Sequence, residues 1–204
     1  MRPPAPPAPP SPFRFCPSCG AGGGGEGGTV APDFLEGKLW RCSFCGFEYF
    51  HNVATAAGVI VEKSGYIVLI ERAKEPRKGA LGLPGGFVEP GERAEDAALR
   101  ECREEIGWAP PRLDFLGSYP NSYDYGGVTY NTCDLFFFYR LEAAQAWPEL
   151  RPTDGEALSI SVTKLSTINA ATLAFPSLGM AVESFGNVLK IDRRLGADRE
   201  PRGE

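Results

Sequence analysis

The sequence lacks any long apolar run. Its most apolar stretches, such as YIVLI and DLFFFY, are far shorter than the roughly 20 residues that a membrane-spanning helix needs. The N-terminal stretch MRPPAPPAPPSP has no apolar core of the kind that a signal peptide carries. We therefore expect a cytoplasmic protein that does not enter a membrane.

Positive charge and histidine are also scarce. The chain has 21 lysines and arginines against 26 acidic residues, a net charge of −5, and one histidine. An acidic chain without a Lys/Arg-rich arm argues against a broad nucleic-acid surface, although a local basic site is compatible with it. His51 follows the second of the cysteine pairs described below, and because four cysteines are available there, we interpret it as structural.

The cysteines are not spaced like a disulfide framework. Two Cys-x-x-Cys knuckles, each followed by a glycine, are separated by 22 residues. Paired thiolates at this spacing favour tetrahedral Zn²⁺, because each knuckle turns two sulfurs toward one point. We predict a structural zinc site whose ligands are Cys16, Cys19, Cys42 and Cys45. The remaining cysteines, Cys102 and Cys133, lie in apolar segments, and we expect both to pack in the core.

Changes in composition divide the chain of 204 residues into four parts. We predict a disordered Pro-rich tail over residues 1–12, a zinc ribbon over 13–52, one larger domain over 53–195 and a disordered tail over 196–204. The zinc ribbon is too small to fold without its metal.

The larger domain combines strands with two helices. The stretch 81–92, rich in glycine and proline, predicts a structured loop. Because mixed strands accompany two substantial helices, we expect an α/β sandwich. Apolar periodicity predicts strands over 53–62, 66–72, 112–119, 128–141 and near 157–163, and helices over 95–106 and near 176–190.

The helix before Gly107 carries an unfavourable cluster of charge. Glu101, Glu104 and Glu105 fall at i, i+3 and i+4, so they share one helix face. Like charges at i, i+4 cost an isolated helix roughly 0.2–0.5 kcal/mol, and the end of a helix, here predicted at a C-cap glycine, prefers cations. A solvated acidic face is one interpretation. The other is that hard divalent cations bind there and supply positive charge.

The segment GFVEPGERAEDAALRECREEIGW, residues 86–108, resembles the Nudix box, the signature of the Nudix hydrolase family. The four-cysteine module ahead of it is similar to that of the Nudix subgroup with an N-terminal zinc ribbon, which includes the NADH pyrophosphatases. Every fixed position of the box matches: Gly86, Glu92, Arg100, Glu101, Glu104, Glu105 and Gly107, with Cys102 and Trp108 at the apolar places.

The resemblance implies a fold, a chemistry and a set of site residues. Family members are α/β/α sandwiches with a mixed sheet, and they cleave nucleoside diphosphates linked to another moiety with Mg²⁺ or Mn²⁺. By resemblance, the metal ligands are Glu101, Glu104, Glu105 and the carbonyl of Gly85. Arg100 and Glu92 are expected to form a salt bridge that fixes the loop and aims the glutamates.

Three further assignments have less specific support. A base must take a proton from the attacking water, and Glu156 stands at about the place where a later loop would supply it, so we prefer it to Asp154 and Glu149. Phosphate contacts are expected from Arg72 and Lys74, although these cations also suit a solvated turn. Base stacking is expected from Tyr123 and Tyr125, although tyrosine at strand spacing also suits simple packing.

The substrate remains open at this level. The NADH pyrophosphatases carry SQPWPFP shortly after the box, and the corresponding stretch here is SYPNSYD, in which Ser118 and Pro120 match but the Trp and Phe do not. We carry three hypotheses: hydrolysis of a nucleoside diphosphate derivative such as NADH, NAD⁺ or ADP-ribose; a catalytically silent nucleotide sensor or nucleic-acid adaptor; and removal of a nucleotide cap from RNA. Family members often form homodimers, but no stretch identifies an interface.

Overall fold

The computed structural model describes residues 15–21, 39–50, 52–126, 128–153 and 155–197. The chain divides into two compact units, the first formed by residues 1–53 with 126–129 and the second by 54–125 with 130–204. The predicted tail over residues 1–12, His51 and Asp154 lie outside the described residues, as does the predicted tail from residue 198 onward.

The first unit contains a hairpin and two knuckles. Strands β1 (Leu39–Arg41) and β2 (Glu48–Phe50) pair antiparallel, with Trp40 opposite Tyr49. Trp40 is 2% exposed and packs with Cys16 and Cys42. A few buried side chains are a small core for a fold, so this unit depends on its cysteines.

The second unit is built from seven strands and two α-helices. Two short 3₁₀ helices, Leu165–Thr167 and Ala170–Thr172, precede the last α-helix. The strands and helices are β3 (Ala54–Lys63), β4 (Tyr66–Arg72), β5 (Leu81–Gly82), β6 (Gly85–Phe87), α1 (Ala94–Ile106), β7 (Asp114–Tyr125), β8 (Val128–Arg140), β9 (Ala157–Lys164) and α2 (Pro176–Ala197).

The sheet is mixed. Its main path runs β5-β4-β3-β8-β7, with β6 also pairing β3 and β9 also pairing β4. Strands β3 and β8 are parallel over nine pairs, from Ala54 opposite Thr132 to Glu62 opposite Arg140. The other registered pairs are antiparallel. Pro120 lies in β7, at the end of the path, where a missing N–H is tolerated.

Each face of the sheet packs against one helix. On β3, Val59 and Val61 belong to the cluster that contains α1, whereas Ile60 between them belongs to the cluster that contains α2. On β8, Phe137 belongs to the cluster with α1, and Phe136 belongs to the cluster with α2. Because successive strand residues point to opposite faces, this alternation makes an α/β/α sandwich, as predicted.

The predicted strands and helices are present, with shifted ends. The strand predicted over 112–119 extends to Tyr125, and α2 continues past the predicted end near residue 190 to Ala197. The stretch predicted as a loop contains β5 and β6, whose two or three residues are too few to show a period of two. Cys102 is fully buried as predicted, whereas Cys133 is half-buried.

Among the described helices, none combines the length and the apolar character that crossing a membrane requires.

Candidate functional site

Helix α1 presents its glutamates toward β6. The helix ends at Gly107, whose φ of 71° is left-handed and whose N–H donates to the carbonyl of Arg103 at 3.1 Å, so the predicted C-cap is confirmed. Glu101 and Glu105 are 9% and 3% exposed. Carboxylates are almost never this buried unless they are paired, so their partners define the site.

Arg100 connects the box loop to the helix. Its Nε and Nη2 donate to the two carboxylate oxygens of Glu92 at 3.0 and 3.1 Å, and Nη2 also donates to the carbonyl of Phe87 at 3.0 Å. Its Nη1 donates to Glu101 at 2.7 Å and to Glu104 at 3.0 Å. The expected Arg100–Glu92 pair is thus present, and the same guanidinium also contacts two of the predicted metal ligands.

Two glycines of β6 allow the backbone of this strand to lie close to the side chains of Glu105 and Glu101. The N–H of Gly85 donates to Glu105 Oε2 at 2.7 Å. A Cβ atom added at Gly86 would lie 2.4 Å from Glu101 Oε1, a distance at which one of the two groups must move. The glycine at position 86 therefore leaves the space beside the strand that the Glu101 carboxylate occupies.

These groups border a cleft in the second unit with a volume of about 430 Å³. Its walls come from β3, β6, α1, β8 and the start of α2. Of the described residues, six carboxylates and two guanidinium groups line it: Glu75, Glu89, Glu101, Glu105, Asp134 and Glu156, with Arg72 and Arg100. Oxygen donors in this excess over cations are the ligands that hard divalent metals prefer, and the donor set fits Mg²⁺ or Mn²⁺.

The electrostatics of the box agree with this excess of negative charge. Burial raises the pKa of Glu101; the hydrogen bond from Arg100 opposes the rise, and the charges of Glu104 and Glu156 add to it. By contrast, the hydrogen bonds from Arg100 lower the pKa of Glu92. The same pairing raises the pKa of Arg100. Arg100 and Glu92 are therefore a stable ion pair, whereas Glu101 holds its charge at a cost that a bound cation would offset.

The remaining predicted residues occupy different places. Glu156 and Arg72 line the cleft. Lys74 is bonded to Glu156, with Nζ and Oε1 2.7 Å apart. Tyr123 and Tyr125 belong to β7, but their side chains lie outside the described residues.

Sequence reasoning missed three polar residues of the cleft. Asn121, Thr132 and Asp134 line it from β7 and β8. Thr132 and Asp134 stand two residues apart on β8, just before the apolar run LFFFY, and this spacing was the signal that could have identified them. A polar residue at every second strand position indicates a shared face.

The four predicted cysteines meet in the first unit. Their sulfurs all lie within 4.8 Å of one another. Cys16 and Cys45 have sulfurs 3.7 Å apart, and the Cys19 and Cys42 sulfurs are 3.9 Å apart. Zinc bonds of about 2.3 Å in a tetrahedron hold sulfurs about 3.8 Å apart, whereas a disulfide needs about 2.05 Å. The cluster fits structural zinc and does not fit disulfides.

The two knuckles repeat one hydrogen-bond pattern. In each, the first cysteine donates its N–H to the carbonyl five residues later, and the glycine four residues later donates to the carbonyl of that cysteine. The N–H of Cys45, helped by that of Phe44, lowers the pKa of the Cys42 thiol to about 6. Backbone donors aimed at sulfur favour the thiolate, which is the form that binds metal.

Comparison with known proteins agrees with this geometry. A family model described as NUDIX domain matches residues 51–178. An ADP-ribose pyrophosphatase of Methanocaldococcus jannaschii is 46% identical over 71 residues, which are 35% of this chain and 41% of that protein. A NAD-capped RNA hydrolase NudC of Haemophilus influenzae is 30% identical over 127 residues, 55% of this chain and 48% of that protein. The chain thus spans about half or less of the length of these curated relatives.

Solved structures show the same fold. The NUDIX domain of Shewanella oneidensis NrtR, solved with ADP ribose, superposes with a TM-score of 0.58 at 18% identity, covering 69% of this chain and 90% of that one. A NUDIX hydrolase of Nitrosomonas europaea superposes with a TM-score of 0.56 at 22% identity, covering 83% and 88%.

Proposed function

Because the chain belongs to the Nudix family, we propose that it is a pyrophosphohydrolase acting on the diphosphate linkage of a nucleoside diphosphate derivative. The observation that carries the proposal is the cleft, in which the glutamates of α1 meet the glycines of β6. A pure ligand sensor does not need a complete set of metal-binding carboxylates. Burying the carboxyl groups of Glu101 and Glu105 is costly unless it serves binding or catalysis.

Nudix enzymes generally need a divalent metal. We assign Mg²⁺ or Mn²⁺ to Glu101, Glu104 and Glu105 with the carbonyl of Gly85. When bound, such a metal neutralises phosphate charge and stabilises the transition state of phosphoryl substitution. Glu101 and Glu105 line the cleft. Glu104 accepts a hydrogen bond from Arg100, which also lines the cleft.

The chain's own residues supply positioning and proton transfer. Water attacks phosphorus, the bridging P–O bond breaks, and the two products leave as phosphates. Glu156 is our candidate base, because it lines the cleft and its negative charge contributes to the raised pKa of Glu101. Lys74 holds Glu156 in position, so its predicted phosphate contact becomes a positioning role. Arg72 remains the candidate phosphate ligand, since it also lines the cleft.

The names of the curated relatives narrow the range of candidate substrates. One is an ADP-ribose pyrophosphatase and others are NAD-capped RNA hydrolases. Both names describe compounds in which an adenosine diphosphate unit is linked to another moiety, so ADP-ribose, NAD⁺ and NADH are the candidates for this chain. RNA capped with NAD is the second candidate. We rank NAD-capped RNA lower because the chain carries a net charge of −5, whereas binding along an RNA strand needs a continuous positively charged surface.

We further propose that residues 13–52 form a zinc ribbon and residues 53–195 the catalytic domain. The clustered sulfurs of the first unit support the former, and the cleft supports the latter. Four cysteines clustered as metal ligands, with no disulfide among the described residues, are typical of a reducing compartment, which favours the cytoplasm.

A substrate panel tests the function. Purified protein with Mg²⁺ or Mn²⁺ is assayed on ADP-ribose, NAD⁺, NADH, diadenosine polyphosphates, nucleoside triphosphates and NAD-capped RNA. We expect metal-dependent release of a mononucleotide from one class. Glu105→Gln should lower kcat by about 100-fold or more, since Glu105 faces the metal site while its contact with Gly85 can be kept by an amide oxygen.

Glu95→Gln is the matched control, because Glu95 lies in the first turn of the same helix and pairs with exposed Arg93. It should retain activity close to wild type. Binding of ADP-ribose without hydrolysis of any substrate would instead support a sensor. Equal activity of wild type and Glu105→Gln would remove the glutamates from the mechanism.

A further inference from the structure

Three buried polar atoms of the cleft have no hydrogen-bond partner within the described parts of the chain. They are Asn121 Oδ1, Thr132 Oγ1 and Asp134 Oδ1. An unpaired buried polar group costs free energy, and folded proteins carry few of them. Three on the wall of one cleft therefore indicate a surface that is completed by something bound there.

The strand register places these atoms away from the glutamates. Thr132, Asp134 and Phe136 lie at alternate positions of β8, and all three line the cleft. Asp134 is opposite Ala56 of β3, which is in turn opposite Phe87 of β6. Neighbouring strands are about 4.8 Å apart, so Asp134 lies about 10 Å across the sheet from β6. One ligand can therefore reach both ends of the cleft.

Asp134 is held in a fixed orientation. Ser177, at the start of α2, donates its hydroxyl to Asp134 Oδ2 at 2.6 Å, and both residues are buried, at 0% and 7% exposed. A carboxylate next to a helix N-terminus is also favoured by the helix dipole. One oxygen is thus committed to the fold, while Oδ1, buried in the same cleft-lining residue, has no partner among the described residues.

The chemistry of the three atoms selects their ligand. Carboxylate and amide oxygens only accept hydrogen bonds, and a hydroxyl can accept as well. A phosphate also only accepts, so it does not fit here. Phe136, Phe175 and Leu178 line the same cleft and offer apolar surface to a ring. A nucleoside has the required combination, because its base and ribose carry N–H and O–H donors on a flat apolar body.

We propose that Asn121, Thr132 and Asp134 form the nucleoside subsite, accepting hydrogen bonds from a base amine or from ribose hydroxyls, with the diphosphate directed toward Glu101 and Glu105. This inference rests on the proposed function, because it assigns the other half of the same substrate. It makes these three residues determinants of specificity.

The test compares ADP-ribose with analogues that lack one donor each on the adenosine side. The hypoxanthine analogue replaces the amine by a carbonyl, and the 2′-deoxy and 3′-deoxy analogues lack a hydroxyl. Wild type should prefer ADP-ribose over at least one analogue by about tenfold or more in kcat/KM. The analogue that fails identifies the donor as base or ribose.

Thr132→Val removes the hydroxyl at nearly constant shape. We expect the preference to shrink to below about threefold, with KM rising more than kcat falls, while the melting temperature stays the same or increases because a buried unpaired group is gone. Asp134→Asn, which can keep the Ser177 bond and presents N–H₂ to the cleft, should act in the same direction. Thr163→Val, on β9 and outside the cleft lining, is the control and should keep the wild-type preference.

The inference is overturned if active wild type treats ADP-ribose and all three analogues alike within about twofold, or if Thr132→Val and Asp134→Asn both keep the full preference. Absence of hydrolysis on every substrate would instead remove the proposed function. In that case calorimetry with AMP decides the subsite separately: binding weakened at least about fivefold by Thr132→Val supports it, and failure of AMP to bind wild type overturns it.

Discussion

Arg100 is the residue on which the geometry of the box depends. Its five donors allow a bidentate contact with Glu92 together with contacts to Glu101, Glu104 and the Phe87 carbonyl. A lysine has one nitrogen and no planar fork, so it could not make these contacts together. The arginine therefore fixes the loop and the glutamates with one group.

The Glu92–Arg100 pair should make stability depend on pH. Because Arg100 lowers the pKa of Glu92 in the folded state, the pair stabilises the fold above the ordinary Glu pKa of about 4.3, and this contribution is lost as pH falls through the lowered value. Urea unfolding of wild type and Glu92→Gln should therefore give free energies that differ at pH 7 and converge below about pH 4.

Glu183→Gln provides the comparison, because Glu183 is exposed on α2. Its difference from wild type at pH 7 should be small. A Glu92→Gln difference that stayed constant down to pH 3 would mean that the effect comes from packing, not from the ionised pair.

At the scale of elements, two of the glycines of α2 have opposite surroundings. A Cβ added at Gly186 would meet only Leu165 Cδ2, at 4.0 Å, whereas one added at Gly179 would lie 3.2 Å from both Cβ and O of Ala170. Alanine at an unhindered helix position is worth about 0.5–1 kcal/mol relative to glycine. Gly186→Ala should therefore raise the free energy of unfolding by that amount.

Gly179→Ala has the same gain in helix propensity but must displace the 3₁₀ helix at Ala170. Urea unfolding should find it less stable than Gly186→Ala, by an amount that offsets most or all of the gain. Equal stabilisation by the two substitutions would show that α2 and the 3₁₀ helix do not pack as closely as described.

The long elements were predictable, and the short ones were not. Strands β3 and β4 and helix α1 have enough residues for their periods of two and 3.6 to appear in the sequence. Strand β6 has three residues, two of them glycine, and it exists because β3 offers hydrogen bonds to it. Such pairing depends on a distant segment, which local periodicity cannot report.

At the scale of the molecule, the two units have separate hydrophobic cores. The first has Trp40 and two of its cysteines, and the second has the two layers on either side of the sheet. The first core is small, so its stability should come from the metal. The second buries enough apolar surface to fold by itself.

Removal of zinc should therefore affect the first unit selectively. Cys42→Ser should reduce bound zinc from about one ion per chain to near zero, measured by mass spectrometry, and make the segment around Trp40 sensitive to limited proteolysis. The hydrolysis of the best substrate and the main unfolding transition should change little. Cys133→Ser, which leaves the cluster intact, should keep the zinc. Loss of the main transition in Cys42→Ser would contradict separate folding.

The sequence by itself determined the chemistry that depends on spacing along the chain. The intervals between Glu92, Arg100 and the three glutamates indicated the family, and the two Cys-x-x-Cys pairs indicated the zinc cluster, because a helix turn and a knuckle convert a fixed interval into a fixed distance. The tertiary structure alone decided which residues from distant strands share the cleft. Asn121, Thr132 and Asp134 share a cleft with Glu101 only because β8 pairs with β3 and α2 packs beside Asp134, and such pairing leaves no interval in the sequence to measure.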